Sequence, residues 1–228
     1  MLNIVYEDNH VLVVEKPCNV ASQADNSGDK DLLTMCREYI KEKYNKPGNA
    51  YIGLVHRLDR PVGGVMVFAK TSKAASRLSE SVRNNDIKKT YLAIIVDDNN
   101  LLNENGSFED YMIKNEALNK SMICSKDKKG AKYAKLSYEV ISSNKNLKLV
   151  RINLETGRHH QIRLQFSSRG FSLYGDQKYG KGYKGEQIAL WAYKLTFKHP
   201  TKDEIMEFKV LPKPIGAWEF FKKEIELL

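Results

Sequence analysis

Cysteine is scarce: Cys18, Cys36 and Cys124 are the only three in 228 residues, odd in number and far apart, with no second Cys or His at metal-finger spacing. They are expected to be reduced thiols with no structural metal. Long apolar runs are missing as well. The longest, Val62 to Ala69 with two glycines inside it and Tyr91 to Val96, fall far short of the ~20 residues that cross a bilayer. No basic start followed by an apolar stretch and a small-residue cleavage site opens the chain, because Met1-Leu2-Asn3-Ile4 runs straight into a strand-like pattern. A cytoplasmic protein with no membrane partner is therefore expected. Acidic residues are outnumbered, 28 Asp and Glu against 37 Lys and Arg, for a formal charge of +9. That balance favours a polyanionic partner, nucleic acid first, over a small neutral one. Repeats, low-complexity tracts and linker-like segments are absent too, so one domain over residues 1–228 is expected. What remains, 42% hydrophobic and 29% charged, is enough for a substantial core.

Along the chain, VYEDNHVLVVEKP (Val5 to Pro17) sets two β-rich runs around Asp8-Asn9 and predicts an opening hairpin. Leu32, Leu33, Cys36, Tyr39, Ile40 and Tyr44 recur at helical spacing, and Lys46-Pro47-Gly48 ends that helix. Tyr51 to Val55 and Val62 to Lys70 read as strands, followed by a helix capped by Ser72 with Ala75, Leu78 and Val82 facing inward. Further strands are expected over Tyr91 to Val96, Tyr133 to Ser142, Leu147 to Leu154, Ala189 to Phe197 and Ile205 to Val210, and helices over Arg158 to Ser167 and Trp218 to Leu227. Between Lys114 and Lys135, seven lysines face two acids, Glu116 and Asp127, which suits either a solvated hairpin face or a polyanion contact. Strands outnumber helices without alternating with them. The expected class is α+β, with a mixed, mostly antiparallel sheet, flanking helices and a basic central cleft.

Two polar knots interrupt this pattern. In GLVHRLDRPVGGVMVFAKT (Gly53 to Thr71), His56, Arg57, Asp59 and Arg60 lie between apolar runs and are closed by Pro61 and Gly63-Gly64, the punctuation of a tight loop. A carboxylate among two arginines has its charged form favoured, which suits Asp59 to nucleophilic or base duty. An ion-paired surface turn has the same composition. The second knot, INLETGRHHQIRLQF (Ile152 to Phe166), passes through Thr156-Gly157 into a predicted helix. Thr156 is expected to cap it, and its N-terminal N–H groups, beside Arg158, His159 and His160, are expected to meet a phosphate. Adjacent histidines do not share a helix face, so a metal pair is not expected there. From Gly157 to Lys184, six Arg or Lys face one acid, Asp176, among Phe166, Phe171, Tyr174, Tyr179 and Tyr183, a mixture that suits single-stranded or distorted RNA. Arg163 is a candidate partner for a buried carboxylate such as Asp59. Tyr91 heads an apolar strand, where most tyrosines are core, and Lys88 and Lys89 before it read as a solvated strand entrance.

Taken together, these segments resemble the RluA family of RNA pseudouridine synthases over almost the whole chain. VYEDNHVLVVEKP resembles the family's opening strand pair, and HRLD (His56 to Asp59) its signature loop. KTY (Lys89 to Tyr91), YAKLSYEV (Tyr133 to Val140), TGRHHQIRLQF (Thr156 to Phe166), YGDQKYG (Tyr174 to Gly180) and FKHP (Phe197 to Pro200) follow in the family's order. The resemblance implies a cofactor-free isomerisation of uridine in structured ribosomal or transfer RNA; a monomer is expected. It implies Asp59 as the catalytic aspartate, either attacking C1′ or removing the C2′ proton to give a glycal. Tyr91 is implied to lie against the base, Arg163 to pair with the aspartate, and Arg57 to enter the helix where the target nucleotide leaves. Leu190 is implied to pack near the uracil, while His56, Arg60, Gly157, Arg158, His160 and Gln161 are the remaining expected substrate contacts. Val62-Gly63 and Trp191 depart from the family's usual residues at those places, and a catalytic domain without an S4 RNA-binding domain is expected. The competing expectation is an RNA-binding or RNA-folding protein on the same scaffold without activity.

Overall fold

The structure is a computed structural model that describes residues 2–182 and 185–228. Tyr183 and Lys184, part of the basic and aromatic stretch noted above, lie outside the described residues. Twelve strands and four α-helices are present among the described residues, in an α+β arrangement. Every described strand register is antiparallel. The chain forms two compact units, one of residues 1–88 and 192–210, the other of residues 89–191 and 211–228.

In the first unit the opening hairpin forms as expected, from β1 (Asn3–Glu7) and β2 (Val11–Lys16). Asp8 closes it by accepting the N–H groups of His10 (2.7 Å) and Val11 (2.8 Å), the side-chain turn for which Asp is suited. Helix α1 (Leu32–Lys43) is capped by Asp31. Short β3 (Gly53–Leu54) and β2 flank β4 (Gly63–Ala69), whose seven residues are all buried, which is why its sequence is a continuous apolar run. Helix α2 (Ser72–Arg83) is capped by Thr71, not by Ser72; the Thr71 hydroxyl accepts from Ala74 N–H, and Ser72 is the first helical residue. The core joins Val11, Val13, Val65 and Val67 to Ala74, Leu78, Leu195, Phe197 and Met206, so it depends on residues near position 200.

In the second unit β5 (Lys88–Val96) pairs with β9 (Leu147–Leu154), β9 with β8 (Lys132–Asn144), β8 with β6 (Asn105–Asn115), and β6 with β7 (Lys120–Cys124). The lysine-rich stretch is thus a hairpin, the loop after it and the start of β8. A two-residue β10 (Ser172–Leu173) adds to β5. Phe108, Tyr138 and Phe166 pack with ring centroids 5.0 to 5.4 Å apart and anchor α3 (Gln161–Ser167) to β6 and β8. Two expectations need correction. The helix predicted from Arg158 starts only at Gln161, because His160 takes a left-handed φ of 54° that an α-helix does not admit. The C-terminal helix is a 3-10 turn, Gly216–Phe221, followed by α4 (Lys222–Glu226). Strand β11 (Leu190–Lys198) pairs with β12 (Ile205–Lys209), and both lie almost wholly in the first unit.

Candidate active site

The loop that carries Asp59 is held largely by its main chain. Lys16, at the end of β2, has no exposed surface, and its three ammonium protons go to the carbonyls of Pro17 (2.9 Å), Arg60 (3.0 Å) and Val62 (2.7 Å). Burial pushes the Lys16 pKa down to about 8, even though the neighbouring Cys18 and Asp59 favour its charged form. The buried Ser22 hydroxyl donates to Leu58 C=O (2.8 Å) and accepts Leu58 N–H (3.1 Å), so one side chain satisfies both backbone groups. Val62 N–H donates to Asp59 C=O at 3.0 Å and closes the turn. Gly64, where β4 begins, has φ +125° and passes so close to β11 that an added Cβ would lie 2.2 Å from Ala192 C=O. Asp59 itself is half-buried and Arg57 exposed, on either side of the buried Leu58.

Two side chains of this knot serve the fold. His56 Nε2 accepts Val67 N–H (3.1 Å) and fastens the loop to β4. Arg60 forms ion pairs with Asp25 (3.0 Å) and Asp29 (2.7 Å), the salt-bridged surface turn that was the competing reading of this composition. Val62 and Gly63, the pair that departs from the family pattern, are buried.

The second knot is held side chain to side chain. Arg163 on α3 makes a bidentate pair with Asp176, Nε to Oδ2 at 2.8 Å and Nη2 to Oδ1 at 2.7 Å, with both side chains buried. Within this unit Asp176 is therefore the carboxylate set against Arg163. Burial works against the Asp176 charge, but Arg163 and the N–H groups of Lys178 and Tyr179 outweigh it and hold its pKa below the usual value. The Tyr179 ring lies 5.3 Å from the guanidinium carbon of Arg163. Its hydroxyl accepts Ser121 N–H (2.6 Å) from β7 and sits 2.9 Å from His160 Nδ1. Burial, then the charges of Arg163 and His159, push His160 down to about 2, so the ring is neutral. His159 stacks on His160 with centroids 3.7 Å apart.

The expected phosphate-binding helix start is not formed at Thr156-Gly157. Thr156 Oγ1 donates to Gln161 Oε1 (2.8 Å) and accepts Lys135 N–H (2.8 Å), while Arg158 N–H is taken by the same Gln161 oxygen (3.0 Å). Gln161 Nε2 donates to Lys135 C=O (3.1 Å) and Gln165 Oε1 (3.0 Å), which fills its hydrogen-bonding capacity inside the protein. Gly157 and Arg158 are exposed. Tyr91 on β5 is buried opposite Ile152 of β9, and Leu190 and Trp191 are buried at the start of β11.

Sequence reasoning missed four of these residues, the buried Ser22 among them. Lys16 ends a strand pattern in which a lysine reads as exposed. Asp176 carried a signal, as the single acid among six bases, but no spacing ties it to Arg163. Tyr179 was one aromatic among several.

Known proteins resemble this chain in sequence and in fold. Residues 10–168 match the model of the RNA pseudouridylate synthase family. The chain is 33% identical over 219 residues to ribosomal large subunit pseudouridine synthase D of Zymomonas mobilis, covering 91% of this chain and 68% of that protein. It is also 33% identical over 209 residues to an uncharacterised RNA pseudouridine synthase of Bacillus subtilis, covering 90% and 67%. Human RNA pseudouridylate synthase domain containing 4 shares the fold, with a TM-score of 0.78 at 20% identity over 98% of this chain and 93% of that one. The chain belongs to the family of RNA pseudouridine synthases, isomerases that convert uridine to pseudouridine in RNA.

Proposed function

We propose that this protein isomerises particular uridines of structured ribosomal or transfer RNA, with Asp59 as the group that acts on the ribose. The supporting observation is the loop itself. Ser22, Lys16 and the turn to Val62 hold the main chain at Leu58, Asp59, Arg60 and Val62, which fixes the aspartate Cα in advance of substrate. In the reaction the C1′–N1 bond breaks and a C1′–C5 bond forms, while the C5 proton leaves and N1 regains one. Asp59 either attacks C1′ or takes the C2′ proton. Uracil departs as a delocalised anion, turns and rejoins, so one carboxylate suffices where a glycosidase needs two. Tyr91 lies against the base and assists loss of the C5 proton. Arg163, pinned by Asp176 and Tyr179, is the remaining candidate catalytic residue. The exposed Arg57 fills the gap left by the flipped nucleotide.

Relatives named for the ribosomal large subunit make large-subunit RNA the first substrate to try and transfer RNA the second. The test is tritium release from [5-³H]uridine-labelled RNA of a strain lacking this protein. Wild type is expected to release tritium. Asp59→Asn is expected to release none while keeping RNA affinity within a few-fold, and substantial turnover by that variant removes Asp59 from its role. Salt-sensitive binding with no release by wild type puts the inactive RNA-binding protein in its place.

A further inference from the structure

Among the described residues, the buried or half-buried cations meet a carboxylate, a carbonyl or, for Lys120, the Tyr179 ring, with one exception. Lys70 pairs with Glu7 (2.6 Å), Lys148 with Asp97 (3.8 Å), Arg163 with Asp176 (2.7 Å), and Lys16 meets three carbonyls. Lys89 has none. Sequence placed it at a solvated strand entrance, but the structure has it half-buried, and burial alone lowers its pKa. No hydrogen bond, ion pair or neighbouring charge is described for it among the described residues. Its Nζ lies over Gly157, 3.3 Å from where a Cβ would stand, so the glycine leaves the space the ammonium occupies. Gly157 and Arg158 are exposed, which opens that spot to a ligand. Lys89 and Tyr91 are two apart on β5, opposite Leu154 and Ile152, and so project from the same face of the sheet.

We propose that Lys89 Nζ binds a phosphodiester oxygen of the RNA strand on the Tyr91 face of β5. The inference rests on the RNA-modifying reading above. An ammonium withdrawn from water without a counter-charge costs stability until an anion arrives, and a compact ammonium is suited to a phosphate as a point charge. A base edge offers only partial charges, whereas a phosphodiester brings the full one that is missing here. The contact positions the strand and carries no sequence information.

The test compares wild type, Lys89→Gln and Lys89→Arg on deproteinised large-subunit rRNA labelled with [5-³H]uridine, measuring filter-binding affinity and tritium release across a KCl series. Lys89→Gln is expected to lose about tenfold in affinity at low salt, as for loss of a charged hydrogen bond. Its plot of log affinity against log salt should be shallower by roughly 0.7 to 0.9, one phosphate contact. KM should rise more than kcat falls, and Lys89→Arg should restore both slope and affinity. Thermal unfolding of Lys89→Gln should come no lower than wild type, because an unmatched charge has been removed. If that variant fails to fold, Lys89→Met, apolar and of similar length, carries the same expectations. Unchanged affinity, or lost turnover at an unchanged slope, overturns the proposal. If wild type binds RNA but releases no tritium, the isomerase reading falls while the binding slopes still decide the role of Lys89.

Discussion

The Asp59 loop and the Arg163 network are two ways of fixing a functional side chain, and they differ in what does the fixing. Around Asp59 the pins are short and mostly on main-chain atoms: one hydroxyl on Leu58, one ammonium on Pro17, Arg60 and Val62, one turn bond from Val62. The aspartate stays half-buried at the surface of its own unit. Around Arg163 the pins are the side chains of Asp176 and Tyr179, the latter held in turn by the His160 ring and the Ser121 N–H of β7, and the guanidinium and its carboxylate are almost wholly buried. A loop held by its backbone tolerates change in the side chains it displays. A buried ionic network does not, because each member is the solvation of another.

The largest expected effect follows from breaking the network. Asp176→Ala leaves the Arg163 charge buried without its carboxylate and should cost about 3–5 kcal/mol in urea unfolding. A loss no greater than that of a surface substitution would erase the contrast. Next comes Lys16→Met. It strips three carbonyls of their donor but removes the cost of a buried ammonium, so about 2 kcal/mol is expected. Its signature is a fall in kcat of tritium release larger than any rise in KM, since the loop loosens while RNA contacts remain. An unaltered kcat would mean that the turn from Asp59 to Val62 holds itself. The smallest effect belongs to Arg60→Ala, which removes exposed pairs with Asp25 and Asp29. Its melting temperature should match wild type, with turnover within about twofold; a large loss of activity alone would return Arg60 to the RNA contacts.

Much of the fold was legible because its signals are local. The hairpin around Asp8, the helix at Leu32–Lys43 and the buried strand at Gly63–Ala69 each announce themselves within a few residues. The illegible parts are those in which a local signal is overruled from a distance. Thr71 and Ser72 are both acceptable caps, and only the backbone decides between them. The helix pattern from Arg158 is sound in period, yet His160 adopts a left-handed φ while its ring meets Tyr179, nineteen residues away. For the site, the aspartate knot stood out by composition. The residues that hold it and its counterpart in place, Lys16, Ser22, Asp176 and Tyr179, did not, because pairing of distant side chains leaves no spacing to read. Lys89 was misjudged for the same reason: the glycine that accommodates it lies on another strand's exit.

The interleaving of the two units bears on how the chain is made. The first unit's core already contains Val11, Val13, Val65 and Val67 when the first 88 residues have left the ribosome, but it lacks Leu195, Phe197 and Met206, and β4 lacks the backbone that runs against Gly64. Its two helices and four strands must therefore wait, with apolar surface uncovered, while more than a hundred further residues are synthesised. The second unit, whose sheet lies within one unbroken stretch from Lys89 to Trp191, can assemble in that interval. Vectorial synthesis thus favours formation of the second unit's sheet before the first unit closes, with residues 211–228 added to the second unit last.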